Sequence, residues 1–326
     1  MITKHASRNI FPGFRVFSVC ILIGSGLLLL GLPSPIVAQH EGKSADEVAK
    51  ELSNPAGSLA SLVNSLEYTI YEGDLPGADD QDGWSYSFQP VLPFPVGEKG
   101  RNIIFRPLLP VPLDQPVFNN QRGLGEPTRV ESGSYSTTIT PGIGRFESSD
   151  VNLGDISFDL VYSGTEMHTD HKGFLWGIGV ASTLPTATNS AIAGGQWRLG
   201  PEIFGGVVRK WGTLGALISH QWDVAGWNDV SHSVTAGQYF YAIGLGSGWQ
   251  IASGPNFSYN WEADSDQAWT VPIGVGLAKT TAVGKTPVKF QFQVQYFVEQ
   301  PDSFGPQWLF KFSVTPVVKN IFARDS

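Results

Sequence analysis

The stretch VKFQFQVQYFVEQ, residues 288–300, alternates almost without a break. Val288, Phe290, Phe292, Val294, Tyr296 and Val298 share one parity, and Lys289, Gln291, Gln293 and Gln295 share the other. Successive side chains of a strand point to opposite faces, so this ribbon has one oily face and one polar face. The same period runs through 66–71, 84–89 and 153–163, with 101–111 less regular. It continues at 174–184, 197–208, 213–224, 233–243, 249–261, 269–279 and 308–317, which predicts twelve strands. Turn chemistry such as RKWG (209–212), GLGSG (244–248) and AVGKTP (282–287) separates them, and connections this short imply antiparallel hairpins.

One helical stretch is predicted, over 40–60. SADE at 44–47 has the spacing of a capping box, Val48 and Leu52 make a thin apolar stripe, and Asn54-Pro55 stops the helix. It reads either as a short solvated helix or as a segment tucked into a barrel mouth. The interval 112–150, rich in Gly, Pro, Ser and Asn, reads as one long loop. It is too long for a passive connector and suits a lumen constriction or an outer flap.

Two architectures satisfy the alternation. In an exported soluble or surface β-sandwich or jelly roll, binding a ligand such as a carbohydrate, the oily face packs inward. In a membrane barrel it meets lipid and the polar face lines a lumen. The aromatic residues favour the barrel. Trp249 and Trp261 share parity twelve residues apart, about 40 Å along a strand. A tilt near 40° shortens this to about 30 Å, close to the ~25 Å apolar band with its flanking aromatic girdles. Trp84, Trp176, Trp269 and Trp308 sit at or near strand starts, where amphipathic rings favour an interface. Several runs reach ten residues or more, where soluble strands usually have about 5–6. Pro201, Pro255 and Pro272 fall inside the drawn strands and ask for a bulge or an earlier end at each. The fold class expected is therefore all-β, an antiparallel up-and-down transmembrane β-barrel of about twelve strands with a short N-terminal helix.

Composition narrows this further. Lys4, Arg8 and Arg15 precede an apolar run from Val16 to Leu32, which Pro33 and Pro35 break before a small residue at Ala38. This reads as a cleavable export signal over 1–38, with an uncleaved anchor as the alternative. Cys20 lies in a poor context for lipid attachment. Removing the signal leaves 288 residues without cysteine and, with its three basic residues gone, takes the formal charge from −8 to −11. A chain this acidic, without a Lys/Arg-rich run, is not expected to bind nucleic acid. No later apolar run is long enough for a helix through a bilayer, so only a closed barrel could span one. The division expected is a signal at 1–38, an N-terminal periplasmic helical segment at 39–61, the barrel at 62–318 and a C-terminal tail at 319–326.

The segments LSNPAGSLASL (52–62), SFQPVLPFPV (87–96), LGDI (153–156), FLWGIGVASTLPTAT (174–188), QWRLGPE (196–202), GALISHQWDVAG (215–226), SYNWEAD (258–264), WTVPIGVGLAK (269–279) and PVKFQFQVQYFVEQPD (287–302) carry a resemblance. In this order they resemble a group of bacterial outer-membrane proteins called transporters or, misleadingly, neuromedin U. They are similar to the barrels grouped with the meta-pathway phenol-degradation proteins. The resemblance implies a Gram-negative outer-membrane barrel that moves small molecules, apolar ones among the candidates. Its partners would be outer-membrane lipid, the assembly machinery and a small-molecule solute. The tail KNIFARDS departs from the terminal aromatic that many such barrels present to that machinery.

The chemistry on offer is slight. MHTDH (167–171) groups His168, Asp170 and His171 in a hairpin loop without a third distant ligand, so a solvated loop is the reading favoured over a metal site. Ser219 and His220 are adjacent in a strand, point to opposite faces and cannot pair as nucleophile and base. GLGSG is followed by no helix and is no nucleophile elbow. No enzyme and no cofactor are expected. The lumen wall is the place to look, and its candidates are Asp155, Asp159, Lys289, Gln291, Gln293, Gln295 and Lys311. Mixed charge with amides can tune the passage of solutes, or can merely brace a filled interior.

Overall fold

The alternating runs become long strands. The computed structural model describes residues 43–97, 100–119, 128–129, 135–136, 144–169, 172–226 and 231–322. The signal expected at 1–38, together with Asp170 and His171 of the histidine cluster, lies outside them. The strands are β1 (Ala60–Glu72), β2 (Asp82–Val96), β3 (Arg101–Asp114), β4 (Ser157–Thr169), β5 (Lys172–Thr183), β6 (Gln196–Arg209), β7 (Gly212–Gly226) and β8 (Ser233–Gly246). They continue as β9 in two pieces (Trp249–Ser253 and Asn256–Asn260), β10 (Trp269–Val283), β11 (Thr286–Glu299) and β12 (Gly305–Val318). Each pairs antiparallel with the next, and β12 returns to β1 in register from Ala60 opposite Val318 to Glu72 opposite Gly305. One sheet of twelve strands thus closes on itself. The two-sheet sandwich is overturned by this closure, which leaves no edge strand exposed.

All the even-numbered connections except the last-strand return are tight. Residues 97–100, 170–171, 210–211, 247–248 and 284–285 join hairpins at one end, the turn end, where β1 starts and β12 stops. The loop end carries the longer connections. There Pro116–Asn119 pairs with Arg145–Ser148 inside the interval expected to be a loop. Phe118 packs on Phe146 at 5.0 Å, Phe146 on Phe304 at 4.6 Å and Phe304 on Tyr71 at 4.8 Å, which ties this small hairpin to the rim. A second short pair, Thr128–Arg129 with Tyr135–Ser136, lies in the same interval. β4 starts at Ser157, later than the alternation from 153 suggests, so Asp155 precedes the strand.

The oily parity faces out. Phe292 and Phe312 are 49% and 46% exposed, whereas Gln293 and Gln295 on the opposite parity are 7% and 4% exposed. Phe174, Ile178, Ile203, Ile218, Ile273 and Val275 continue this exposed apolar surface round the barrel. The inside is packed on one flank by Val161, Leu175, Phe204 and Val208, with Leu217 and Phe240 against them. Phe204 lies over Gly177 of β5. A Cβ there would come within 2.2 Å of the Phe204 ring, so the glycine makes room for the aromatic.

Two of the three prolines sit at breaks in the ladder, and the third lies beside one. Pro255 separates the pieces of β9. Pro272 lies at a register shift between β10 and β11. Pro201 is paired with Val180 on one side but falls in a gap of the β6–β7 ladder on the other. The break in β9 opens a wider gap. Between the pairs Ile251–Leu277 and Ser258–Thr270, β9 and β10 share no ladder bonds. Side chains from both neighbours fill in. From β11, Gln291 donates to the Ala252 carbonyl at 3.0 Å, and Gln293 accepts from the Gly254 amide at 3.2 Å and from Ser253 Oγ at 3.0 Å. From β8, the Tyr239 and Tyr241 hydroxyls donate to the Pro272 and Gly274 carbonyls at 2.9 and 2.8 Å. An unpaired carbonyl in an apolar medium is costly. Tyr241→Phe, which changes no packing volume to speak of, is therefore expected to cost about 1–3 kcal/mol in denaturant unfolding.

Candidate functional site

The turn end of the barrel is stoppered by the chain's own N-terminal segment. Helix α1 (Ala45–Leu52) begins with the full capping box: Ser44 Oγ accepts from the Glu47 amide, and the Ser44 amide donates to Glu47 Oε2 at 2.7 Å. The backbone and hydroxyl hydrogen bonds from Ser44 hold the Glu47 carboxyl below its ordinary pKa. Asp46 reaches the β8–β9 turn and accepts from the amides of Ser247 and Gly248. The stripe foreseen as thin is a docking face: Val48 is buried against Leu59 and Val317, with Leu52 beside them. Polar clamps then fix the turn that follows. Gln250 Nε2 donates to the Ala49 carbonyl at 3.3 Å, Asn102 Nδ2 to the Ala56 carbonyl at 3.2 Å and Asn54 Nδ2 to Thr165 Oγ1 at 3.1 Å. Ala56 itself, 2% exposed, caps the apolar flank of Leu175 and Phe204. Of the two readings of this helix, the tucked one is the structure.

Above this floor lies a cavity of about 260 Å³. Its wall intermingles the polar Gln89, Gln238, Gln291, Gln293 and Ser313 with the apolar Val63, Val91, Leu217 and Phe240. Val63 is the cross-strand neighbour of Gln89, and Leu217 that of Gln238. Three cations line it, Arg106, Lys289 and Lys311, against a single carboxylate, Glu51. Arg106 is matched inside the barrel by Asp159 at 2.8 Å and Glu202 at 3.4 Å. Lys311 pairs with its cross-strand neighbour Glu67 at 2.7 Å. Glu51 is engaged by Lys43 at 2.5 Å and by Ser58 at 3.0 Å.

The candidate residues thus fall into several places. Lys289, Gln291, Gln293 and Lys311 are on the cavity wall. Gln295 is buried on the same inner parity, and Asp159 is the partner of Arg106. Asp155 lies beyond β4 at the loop end. There it accepts from the Ala187 and Gly194 amides at 3.0 and 2.8 Å and approaches Arg198 at 3.9 Å. Close by, burial and the Arg198 guanidinium push His232 down to about 4. Arg106, Glu202 and Glu67 are further interior charges, and reading single runs did not bring them out. Glu67 and Glu202 were accessible by parity within their own runs. Arg106 is masked by the prolines at 107 and 110.

Outside, aromatic rings contact one another round the loop end. Trp84 meets Tyr68 at 4.8 Å, and Trp308 meets Tyr296 at 4.8 Å and Phe310 at 6.4 Å. Tyr259 lies between Trp261 and Trp269, 4.7 Å from each. Trp197 and Trp222, not singled out by the alternation, are exposed at the same end. Trp249 marks the turn end with Lys279 over its ring at 5.1 Å, and Trp211 is exposed beside it. Trp176, five residues into β5, faces Arg101 at 5.6 Å, also on the turn-end half. His220 points out of the barrel to Thr235 at 2.8 Å, while Ser219 is buried inside, as their adjacency requires. His168 is exposed in β4, and among the described residues no three metal-ligating side chains converge.

No protein-family model matches the chain, and no curated protein matches it. Among solved structures it is similar to an outer-membrane channel of Pseudomonas putida F1, at 12% identity over 80% of this chain and 95% of that one, with a TM-score of 0.49. It is similar to the Pseudomonas putida toluene transporter TodX at 11% identity over 84% and 93%, with a TM-score of 0.36. A Pseudomonas aeruginosa FadL homologue matches at 10% identity over 82% and 93%, with a TM-score of 0.32.

Proposed function

We propose that this chain is exported by a cleavable signal at 1–38 and spans the outer membrane as a β-barrel transporter for small molecules, apolar ones among the candidates. The observation that carries this is the pairing of a closed twelve-stranded wall, apolar outside, with a cavity inside that glutamines and charged side chains line in part. A closed barrel is the one β architecture whose backbone is satisfied in hydrocarbon, and strands of 12–15 residues, β9 apart, exceed the span required. In this reading the tryptophans at the two ends are the interfacial girdles, and the exposed isoleucines and valines between them meet lipid. In this reading the short turns face the periplasm, and α1, within the periplasmic segment at 39–61, plugs the barrel from that side. Lys289, the glutamines and Lys311 then line the path of the solute. In this reading the chain's partners are outer-membrane lipid and the outer-membrane assembly machinery.

The test is fractionation followed by electrophysiology. The protein is expected to stay with membranes through salt and alkali and to leave them only with detergent. Reconstituted in a planar bilayer, it is expected to show small, flickering conductance steps, because the plug restricts the path. Release by alkali alone would refute spanning. A barrel that stays ion-tight even without residues 43–58 would refute transport.

A further inference from the structure

We propose that Lys289 makes the cavity a binding site for a small organic monoanion with an apolar body. This rests on the transporter reading above and names the solute class of that same cavity. Lys289 is 8% exposed on the cavity wall and forms no ion pair among the described residues. Its one hydrogen bond among them is to Ser53 Oγ at 3.3 Å. Every other charged group on the wall is neutralised: Arg106 by two carboxylates, Lys311 by Glu67 and Glu51 by Lys43. A buried cation without a counter-charge is expensive, and an incoming anion removes that expense. The surroundings supply the rest of the recognition. Gln291 and Gln293 lie along the same strand as Lys289 and present amides to the anion's remaining lone pairs. Leu217 and Phe240, on β7 and β8, add apolar surface to the same wall. An amphipathic carboxylate fits this mixed wall with its one unpaired cation better than a sugar, which needs polar groups on all sides, or a plain hydrocarbon, which leaves the ammonium unpaired.

The probe is benzoate, with benzyl alcohol as its neutral counterpart, titrated calorimetrically into the full mature chain in lipid nanodiscs. Wild type is expected to bind benzoate more tightly than benzyl alcohol. Lys289→Gln is expected to weaken benzoate by about tenfold or more, the loss of roughly 1.4 kcal/mol, and to leave benzyl alcohol unchanged. Lys289→Arg is expected to restore benzoate binding. A merely structural lysine that anchors the plug through Ser53 would move both ligands together or neither, and either result overturns the proposal. The heat-modifiable migration of each variant reports that its barrel is closed. A protein that conducts in the bilayer but does not prefer benzoate refutes the anion site and leaves the transporter reading intact. One that binds benzoate through Lys289 but stays ion-tight without its plug supports the site and refutes transport.

Discussion

Lysine in place of Val275 is expected to destabilise the barrel in phospholipid vesicles by about 2–4 kcal/mol, the cost of a cation on a lipid face at the bilayer midplane. Val275 lies in the middle of β10, is 57% exposed and is flanked on its own face by Ile273 and Leu277, which are also exposed. Its cross-strand neighbour is Val294. The side chain touches little protein, so there is almost no packing to lose. If this surface met water, the substitution would change stability by no more than about 0.5 kcal/mol. The size of the effect therefore reports the medium and not the contacts. Val283, at the last position of β10, is the internal control. Its lysine variant, placed near the interface, is expected to cost only about 0–1 kcal/mol. Urea unfolding followed by tryptophan fluorescence, with heat-modifiable migration as a second readout, gives both numbers. Equal, small costs at 275 and 283 would mean that the apolar face is solvated, and the membrane assignment would fail.

Much of this wall was legible because a barrel strand carries its whole environment in its parity. Phe290 to Val298 faces one medium and Lys289 to Gln295 the other, and no tertiary partner can override a period of two over a run of that length. What parity cannot convey is register. The Arg106–Asp159–Glu202 cluster joins three strands from distant parts of the chain, and nothing local marks those residues as partners. Pro255 signalled the break in β9, but not that Gln291, Gln293, Tyr239 and Tyr241 would close it. Two of the seven lumen candidates are for that reason also braces of the wall. Asp155 looked like a strand residue because its run keeps alternating, yet the backbone before Ser157 spends its hydrogen bonds on loop residues Leu184 and Thr188. The helix shows the same division. Its capping box is a local signal and could be read directly, whereas its docking depends on Val317, Gln250 and Asn102, far away in sequence.

Deleting residues 43–58 is expected to raise the single-channel conductance several-fold and to abolish the flicker of the intact protein. The segment floors the cavity, and every fastening it makes is to the barrel wall: Asp46 to the β8–β9 turn, Ala49 and Ser53 to Gln250, Asn54 to Thr165 and Ala56 to Asn102. These are individually modest bonds of about 0.5–1.5 kcal/mol. A segment held by several of them, with only three buried apolar residues, can leave without unfolding a sheet that has no edges. Truncation also bares Leu175 and Phe204, so a lower thermal stability is expected alongside the wider path. A cysteine pair replacing Ser53 and Gln250, whose side chains meet at 3.3 Å, separates gating from simple loss of mass. The mature chain has no other thiol if the signal containing Cys20 is removed. Oxidised, the pair is expected to hold the conductance at its closed level, and reductant is expected to restore wild-type openings. Were the truncated and the oxidised barrels to conduct alike, solute would have to pass around the helix, and α1 would be a strut of the wall and not its gate.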